Sequence, residues 1–351
     1  MARAPTFVTK LEIRDLRGIE HVSLEFRDGF ERSLPLVVLV GPNGGGKTTV
    51  LEAILLALGQ RDLLPDDSAS LDEQVRFGAS DFHIGLDLAT PDGERLASIS
   101  VDRLACSGDF EVDRGGERIS YSDHWETLRG LAPEVAYLPS RRDPEALGET
   151  PDPRGRQSRR EARRLVETKR ALVGLYNRSM RARTPMSPQS PFMRLQEFWQ
   201  HFTEDEREFD VIAASENPAD GDEVVLRDPR PVPDDVTSLV QARLLAPERP
   251  DIPRMVPLDR LSDGQLAALR FASVLLFRDR PLDLLLIDEP EQHLHPRWHH
   301  RLLPSLRALA PGTQIIVATH SPEVVMSALS YERFTLGDTS RFSRDVPDAA
   351  E

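Results

Sequence analysis

The sequence predicts an α/β fold in which a mixed sheet with a strongly apolar, parallel core is flanked by helices. Three apolar segments, at 34–40, 281–290 and 312–318, have the length and continuity of strands buried on both faces. Alternating segments between 82 and 121, separated by plausible hairpin turns, add an antiparallel β subdomain. A small helical insertion completes the predicted architecture.

Composition favours an ordinary water-soluble protein. The 351 residues are 39% hydrophobic and 29% charged. No segment approaches the roughly 18 consecutive apolar residues of a membrane span, and the N-terminus has no apolar core of a secretion signal. Cys106 is the only cysteine, which excludes a disulfide framework and favours a reducing cytoplasm. The net charge of −14 argues against nucleic-acid binding over the whole surface.

The first 140 residues form the N-terminal part of the predicted main domain. Alternation predicts strands at 7–15 and 19–26, joined by a turn at Arg17 and Gly18. The buried strand at 34–40 follows, and a helical pattern then runs to Leu58. After the antiparallel subdomain, a short apolar strand is predicted at 134–138.

A glycine-rich loop lies between the apolar strand and the first helix. Glycines allow successive backbone N–H groups to turn towards an anion, and the helix N-terminus adds its positive dipole end. Lys47 is placed to reach the β- and γ-phosphates of a nucleoside triphosphate, and Thr48 to offer its hydroxyl to Mg²⁺. A glycine-rich turn without a ligand is the competing interpretation, which the strand–loop–helix context disfavours. The residues expected to bind phosphate are Asn43, Gly44, Gly45, Gly46, Lys47, Thr48 and Thr49.

An inserted lobe with a proline-rich linker is predicted for residues 141–253. Eleven basic residues lie between 154 and 183, where a leucine stripe predicts an exposed helix. Two interpretations are equally supported: a solvated helix face, or a contact for nucleic-acid phosphates or an acidic partner. A helix at 192–202 and strands at 209–213 and 223–226 follow, and 227–253 is expected to be loop-like.

Residues 254–337 are predicted to complete the main domain, and 338–351 to form a polar tail. Leu261-Ser262-Asp263-Gly264-Gln265 precedes an amphipathic helix that ends near Phe277. The next strand ends in Asp288-Glu289, and the last buried strand ends in Thr319-His320-Ser321-Pro322. Because parallel strands point their carboxyl ends to one edge of a sheet, these groups are expected to face the phosphate loop.

Four motifs in this order resemble those of the ABC-type ATPases, whose head is a P-loop NTPase fold. The resemblance covers residues 6–60 and 255–337, about 40% of the chain. The strand, Arg-Gly, strand opening is similar to that of the RecF, SMC-like and OLD-type members. Residues 289–296 and 318–322 look most like the OLD-type group, many of whose members serve in prokaryotic anti-phage defence.

The resemblance implies a role for each matching residue. Asp288 would hold Mg²⁺ alongside Thr48, Glu289 would be the general base, and His320 would contact the γ-phosphate. Lys47 would stabilise the phosphate charge in catalysis. Because ATP sites in this family are composite, two copies of the chain are expected to form a homodimer or higher oligomer. The residues implied to contact nucleotide beyond the phosphate loop are Arg17 and Gly18, near adenine and ribose, and Ser262, Gly264 and Gln265, at the γ-phosphate of a second subunit.

Several positions keep an alternative. Ser262 with Gln265 is also a capping box, which starts a helix without any ligand. The glutamine expected after a central strand is missing, so Ser140 or Arg141 is a candidate replacement, whereas Gln74 comes too early in the chain. A zinc site at His293, His295, His299 and His300 lacks supporting carboxylate or cysteine spacing, and His293 and His295 are interpreted as family-pattern loop or interface residues.

The resulting hypothesis is a cytoplasmic, Mg²⁺-dependent ATPase whose ATP-dependent dimerisation controls a nucleic-acid-directed machine. Only 31 residues follow His320, too few for the nuclease domain of an OLD nuclease. A separate effector, a nuclease or toxin, is therefore expected in an anti-phage defence system. The alternatives are a RecF-like repair ATPase, an ABC transporter ATPase subunit, and a scaffold that binds ATP without appreciable turnover.

Overall fold

The computed structural model describes residues 5–64, 72–102, 109–114, 117–122, 133–140, 166–174, 176–177, 190–278, 280–292 and 294–337. The chain divides into two compact units. The first consists of Met1–Arg141, Arg280–Gln292 and His299–Glu351, and the second of Arg142–Asp279 and His293–Trp298. Residues 254–279 and 293–298, which the sequence analysis grouped with the main domain, belong to the second unit by this division.

Fourteen strands and six α-helices are defined within the described residues, and helical residues also occur at 166–174. The strands are β1 (Phe7–Leu16), β2 (Ile19–Glu25), β3 (Leu36–Val40), β4 (His83–Ala89), β5 (Arg95–Asp102), β6 (Asp109–Arg114), β7 (Glu117–Ser122), β8 (Val135–Leu138), β9 (Glu208–Ala213), β10 (Asp222–Arg227), β11 (Met255–Pro257), β12 (Leu284–Asp288), β13 (Gln314–Thr319) and β14 (Arg333–Thr335). The helices are α1 (Lys47–Ala57), α2 (Pro191–Thr203), α3 (Leu239–Leu245), α4 (Asp263–Leu276), α5 (Pro296–Leu309) and α6 (Pro322–Met326).

The first unit contains two sheets. One has five strands in the order β14-β3-β13-β12-β8, and every neighbouring pair is parallel. The other has six strands in the order β2-β1-β4-β5-β6-β7, all antiparallel. These are the apolar parallel core and the antiparallel subdomain that the sequence predicted.

The register of the parallel sheet places the ends of β3, β13 and β12 side by side. Thr319 at the end of β13 lies opposite Val40 at the end of β3. On the other side of β13, Ala318 lies opposite Asp288, the last residue of β12. The phosphate loop, the Asp288-Glu289 pair and His320 therefore all follow directly from the same edge of the sheet.

A buried glutamine connects the two sheets of the first unit. The Gln314 side-chain amide donates to the carbonyl oxygens of Val8 at 2.8 Å and Leu34 at 2.9 Å, and its oxygen accepts the Val8 N–H at 2.7 Å. A buried polar side chain is tolerated when its donors and acceptors are paired, as they are here. The start of β13, next to β3, is thereby fixed to β1.

The second unit contains an antiparallel sheet in the order β11-β10-β9 together with α2 and α4. The expectation that 227–253 would be loop-like is wrong for Leu239–Leu245, which form α3. Ser238 starts this helix, because its hydroxyl accepts the Gln241 N–H at 3.2 Å and satisfies a donor of the first turn. Most of the basic segment 154–183 lies outside the described residues; 166–174, which are described, are helical.

Candidate functional site

The phosphate loop has the backbone that its glycines make possible. Gly44 and Gly46 adopt positive φ angles of 77° and 87°, which side-chain-bearing residues rarely adopt. A Cβ atom at Gly41 would lie 2.0 Å from the Leu336 carbonyl oxygen, so only glycine fits there. Among the described residues, no side chain caps the first turn of α1. The N-terminus of α1 therefore retains the backbone donors and positive dipole end that attract an anion.

Lys47 lies at the start of α1 and is 5% exposed. Its ammonium group donates to the carbonyl oxygens of Gly41 at 2.8 Å and Pro42 at 3.0 Å. A buried charge needs such partners because it has lost its hydration. The carbonyl groups of the loop thus hold the Lys47 ammonium group inside the loop, where a phosphate group would supply the opposite charge.

Asp288 accepts hydrogen bonds from two hydroxyl groups. The hydroxyls of Thr48 and Ser140 each donate to Asp288 Oδ2 at 2.9 Å. Burial raises the pKa of Asp288, while these two hydrogen bonds oppose the shift. The second carboxylate oxygen, Oδ1, is buried and has no hydrogen-bond partner in the described part of the chain.

This arrangement fits a hard divalent cation. An unpaired buried carboxylate oxygen beside two hydroxyl oxygens is an all-oxygen donor set of the kind that Mg²⁺ prefers. Asp288 and Thr48 would hold the ion, and Ser140, one of the two candidates for the missing glutamine, donates to the same carboxylate. Arg141 lies outside the described residues.

Glu289 follows Asp288 in a strained backbone conformation. Its φ angle is +47°, unusual for a residue with a side chain and typical of positions that a functional site constrains. Its N–H donates to the Ala318 carbonyl at 2.7 Å, and its carboxylate accepts a hydrogen bond from the Gln292 side chain. Glu289 Oε1 lies 3.3 Å from His320 Nδ1. The expected general base and the expected switch histidine are thus neighbours.

Glu291 lies beneath the segment that carries His320. One oxygen, Oε1, accepts hydrogen bonds from the Thr319 hydroxyl at 2.7 Å and from the N–H groups of His320 at 3.1 Å and Ser321 at 3.2 Å. The same oxygen is 3.2 Å from His320 Nδ1. Glu291 is 7% exposed, whereas the His320 side chain is half exposed.

Arg17 contacts polar side chains of the first unit. Its guanidinium forms an ion pair with Glu52, a buried residue of α1, and donates to the side chain of Gln74. Gln74 lies near Arg17 because an isolated bridge pairs Leu16 with Val75. The expected role of Arg17 and Gly18 beside adenine and ribose stays a prediction.

The expected signature residues lie in the second unit. Ser262 caps α4, accepting the Gln265 N–H at 3.4 Å, and the Gln265 side chain accepts the Ser262 N–H at 3.1 Å. The capping box that the sequence offered as an alternative is therefore present. Ser262 and Gln265 also border an open cavity of about 570 Å³, whose other lining residues are Arg207, Asp228, Arg254, Val256, Arg260 and Leu261.

Sequence reasoning missed two members of this constellation. Glu291 and Gln292 were noticed only as part of a family pattern, although they contact the segment at His320 and the carboxylate of Glu289, respectively. Their spacing from Glu289, two and three residues after a strand end, was the available signal. His293 lies outside the described residues, and His295, in the second unit, accepts the Arg297 N–H at 3.2 Å and packs beside the Trp298 ring.

None of the helices that the structure describes combines the length and apolar character of a membrane span.

Comparison with known proteins assigns the chain to a family. A family model described as "AAA domain, putative AbiEii toxin, Type IV TA system" matches residues 36–327. A crystal structure of an Smc head bound to the C-winged helix domain of ScpA superposes with a TM-score of 0.57 at 16% identity, covering 95% of this chain and 94% of that one. The predicted fold, an ABC-type ATPase head, is confirmed by this likeness.

Curated relatives match shorter segments. The Septu protein PtuA of Bacillus thuringiensis is 38% identical over 68 residues, covering 18% of this chain and 17% of that protein. The DNA double-strand break repair Rad50 ATPase of Methanopyrus kandleri is 44% identical over 71 residues, covering 20% and 7%. The DNA replication and repair protein RecF of Anaeromyxobacter dehalogenans is 31% identical over 121 residues, covering 34% and 30%. The chain thus matches less than a third of the length of each relative.

Proposed function

The chain belongs to this AAA-domain family, and from the geometry of its strand ends we propose that it binds ATP with Mg²⁺ and hydrolyses it. The observation that carries the proposal is the meeting of Lys47, Thr48 and Asp288 at one sheet edge, with the unpaired Asp288 Oδ1 beside the Thr48 hydroxyl. Relatives named as ATPases, such as the Rad50 ATPase, support the same activity.

Each side chain has a defined task in this mechanism. The loop N–H groups and Lys47 bind the β- and γ-phosphates, and Lys47 exchanges its carbonyl contacts for phosphate oxygens. Mg²⁺, held by Thr48 and Asp288, would neutralise charge that develops on the phosphate oxygens. Glu289 accepts the proton of the attacking water, and His320 donates to the γ-phosphate from the neighbouring position.

We further propose that the site is completed by a second copy of the chain. Ser262 opens α4, whose first-turn N–H groups form a positive helix end suited to a phosphate. The adjoining cavity carries three arginines against one aspartate, which gives this surface the sign that an anionic nucleotide requires. ATP bound to one copy would then be contacted by Ser262, Gly264 and Gln265 of the other.

Control of a nucleic-acid-directed machine in prokaryotic defence is the process we propose. The family description names a toxin and a Type IV TA system, and the OLD-type resemblance of residues 289–296 points the same way. A separate effector, a nuclease or toxin, would respond to the ATP-dependent dimer. A role in DNA repair is the alternative, favoured by the similarity to Rad50 and RecF.

The decisive experiment compares Glu289→Gln with Lys47→Ala. Glu289→Gln should retain ATP binding, lower steady-state turnover at least ~10²-fold, and accumulate an ATP-bound dimer, because it removes only the base. Lys47→Ala should instead weaken nucleotide binding itself. Phosphate release, nucleotide titration and light scattering after size exclusion measure the three quantities. Parental turnover in Glu289→Gln would disprove the base assignment, and a parent without turnover would disprove hydrolysis.

ATP turnover is also measured with and without DNA and with a purified effector. Turnover stimulated by DNA would favour repair, whereas turnover that responds only to a purified effector would favour defence.

A further inference from the structure

We propose that Glu291 is a positioning residue that holds residues 319–321 so that His320 stays beside Glu289. The inference rests on the proposed ATP hydrolysis and deepens it, since it concerns how the switch histidine is kept in place. It begins from an asymmetry in the Glu291 carboxylate. Oε1 accepts three hydrogen bonds from three successive residues, while Oε2 is buried and has no partner within the described ranges.

The Glu291 carboxylate is buried at a cost in free energy that its hydrogen bonds must offset. Glu291 is 7% exposed, and burying a carboxylate with one oxygen unpaired costs free energy. Charge-assisted hydrogen bonds to two backbone N–H groups and a hydroxyl offset that cost. All three donors belong to residues 319–321, so the charge of Glu291 is directed wholly at the segment that carries the histidine.

The residues on either side of His320 have other partners, since Thr319 pairs with Val40 in the sheet and the Ser321 hydroxyl donates to Glu323 at 2.9 Å, whereas the only acceptor that the described residues offer the His320 N–H is Glu291. Ser321 is held from the far side by His299, whose Nδ1 lies 3.2 Å from the Ser321 hydroxyl. The His320 side chain is half exposed, and its Nδ1 lies between two carboxylates, 3.3 Å from Glu289 and 3.2 Å from Glu291. Without Glu291, the backbone N–H of His320 loses its acceptor, and the imidazole loses the carboxylate that opposes Glu289.

Loss of Glu291 is expected to slow ATP hydrolysis without weakening ATP binding. Nucleotide affinity depends chiefly on the phosphate loop, which Glu291 does not contact in the described structure. Misplacing a catalytic group by about 1 Å is enough to lower a rate ~10²-fold. Loss of Glu291 should therefore lower kcat and leave the KM for ATP nearly unchanged.

A double-mutant cycle with His320 tests the inference. Glu291→Ala should lower kcat roughly 30-fold with KM within about 2-fold, and Glu291→Gln, which keeps an oxygen acceptor, should retain at least about a third of the parental kcat. In a His320→Ala background, Glu291→Ala should change kcat less than about 2-fold, because the histidine through which it acts is gone. If Glu291→Ala does not fold, Glu291→Asp takes its place in the cycle. Its shorter side chain does not reach residues 319–321, so its kcat should also fall roughly 30-fold.

Glu332→Ala is the matched control. Glu332 is also a buried carboxylate of the first unit that holds a loop, accepting the Leu329 N–H at 2.8 Å and an Arg307 N–H at 3.0 Å. Its removal should lower thermal stability without changing kcat. Equal kcat losses for Glu291→Ala with and without His320, no rescue by glutamine, or the same kcat loss in Glu332→Ala would each overturn the inference. The parent and Glu289→Gln are measured alongside, so a failure of ATP hydrolysis itself is recognised separately.

Discussion

Replacing Asp288 by asparagine is predicted to stabilise the nucleotide-free protein while abolishing its response to Mg²⁺. Burial raises the pKa of this carboxyl group, so the ionised form costs folding free energy. Asparagine keeps an oxygen that accepts from Thr48 and Ser140 and removes the charge. It also removes the unpaired Oδ1 that we assign to the cation.

The magnitude follows from the environment of that oxygen. A buried polar atom without a partner costs about 1–3 kcal/mol, and charge increases the cost. An amide nitrogen in the same place also has no partner but carries no charge, so the variant removes only the cost of the buried charge, roughly 1–2 kcal/mol. For the first unit, of roughly 200 residues, this corresponds to a rise in Tm of about 2–5 °C.

The pH dependence has a defined sign. Because the folded-state pKa is raised, the destabilisation is complete above that pKa and disappears as the pH falls to the ordinary value of 3.8. The difference in Tm between variant and parent should therefore shrink on acidification. Addition of ATP with Mg²⁺ at about 100 times its Kd should stabilise the parent by about 2.7 kcal/mol relative to the nucleotide-free protein, which is more than ATP with EDTA contributes, and should stabilise the variant no further than ATP with EDTA does.

Asp283→Asn, at the other end of the same strand, is the control for scanning fluorimetry. Asp283 Oδ2 accepts the Glu134 N–H at 2.9 Å, so asparagine weakens a satisfied charge-assisted bond and should lower the Tm. If Asp288→Asn lowers the Tm as Asp283→Asn does, the assignment of Asp288 as a Mg²⁺ ligand is refuted. Equal stabilisation of parent and Asp288→Asn by Mg²⁺ would refute it as well.

Three further outcomes are expected. Gly41→Ala should lower the free energy of unfolding by about 1–3 kcal/mol and abolish ATP binding, because its Cβ would meet the Leu336 carbonyl oxygen at 2.0 Å; Gly312→Ala, with open space around it among the described residues, should be neutral in the same denaturant titration. Ser262→Asp should preserve the Tm, since aspartate caps helices as well as serine, yet abolish the ATP-dependent dimer in light scattering; an intact dimer would reduce Ser262 to a cap. Reversing every arginine within 159–164 to glutamate should weaken binding to nucleic acid or an acidic partner at low salt, and unchanged affinity would leave that segment a solvated face.

The parallel sheet and the positions of the expected catalytic groups were predictable because the signals are local. β3, β12 and β13 are buried along almost their whole length, so each appears in the sequence as a continuous apolar run. Asp288 and His320 follow such runs directly. Parallel pairing then brings the strand ends to one edge without any further information.

The missed features depend on contacts between distant parts of the chain or on signals that composition obscured. α3 was hidden because prolines dominate its surroundings, although Ser238 with its cap marked the start. The hydrogen bond from Ser140 to Asp288 joins two residues that are 148 positions apart, and it arises because β8 is paired with β12. The contacts of Glu291 likewise require β13 to lie beside β12, which spacing alone does not establish.

The connection between β8 and β12 is free to vary in length. β8 and β12 are parallel neighbours, with Val135 opposite Leu284, although Arg142–Asp279 of the second unit intervene in the chain. A parallel pair requires a crossover of only about a dozen residues. The pairing therefore imposes no upper length on this connection, and inserts of very different size suit the same two attachment points. Selection can therefore lengthen or shorten the segment between β8 and Ser262 while β8 and β12 keep their register.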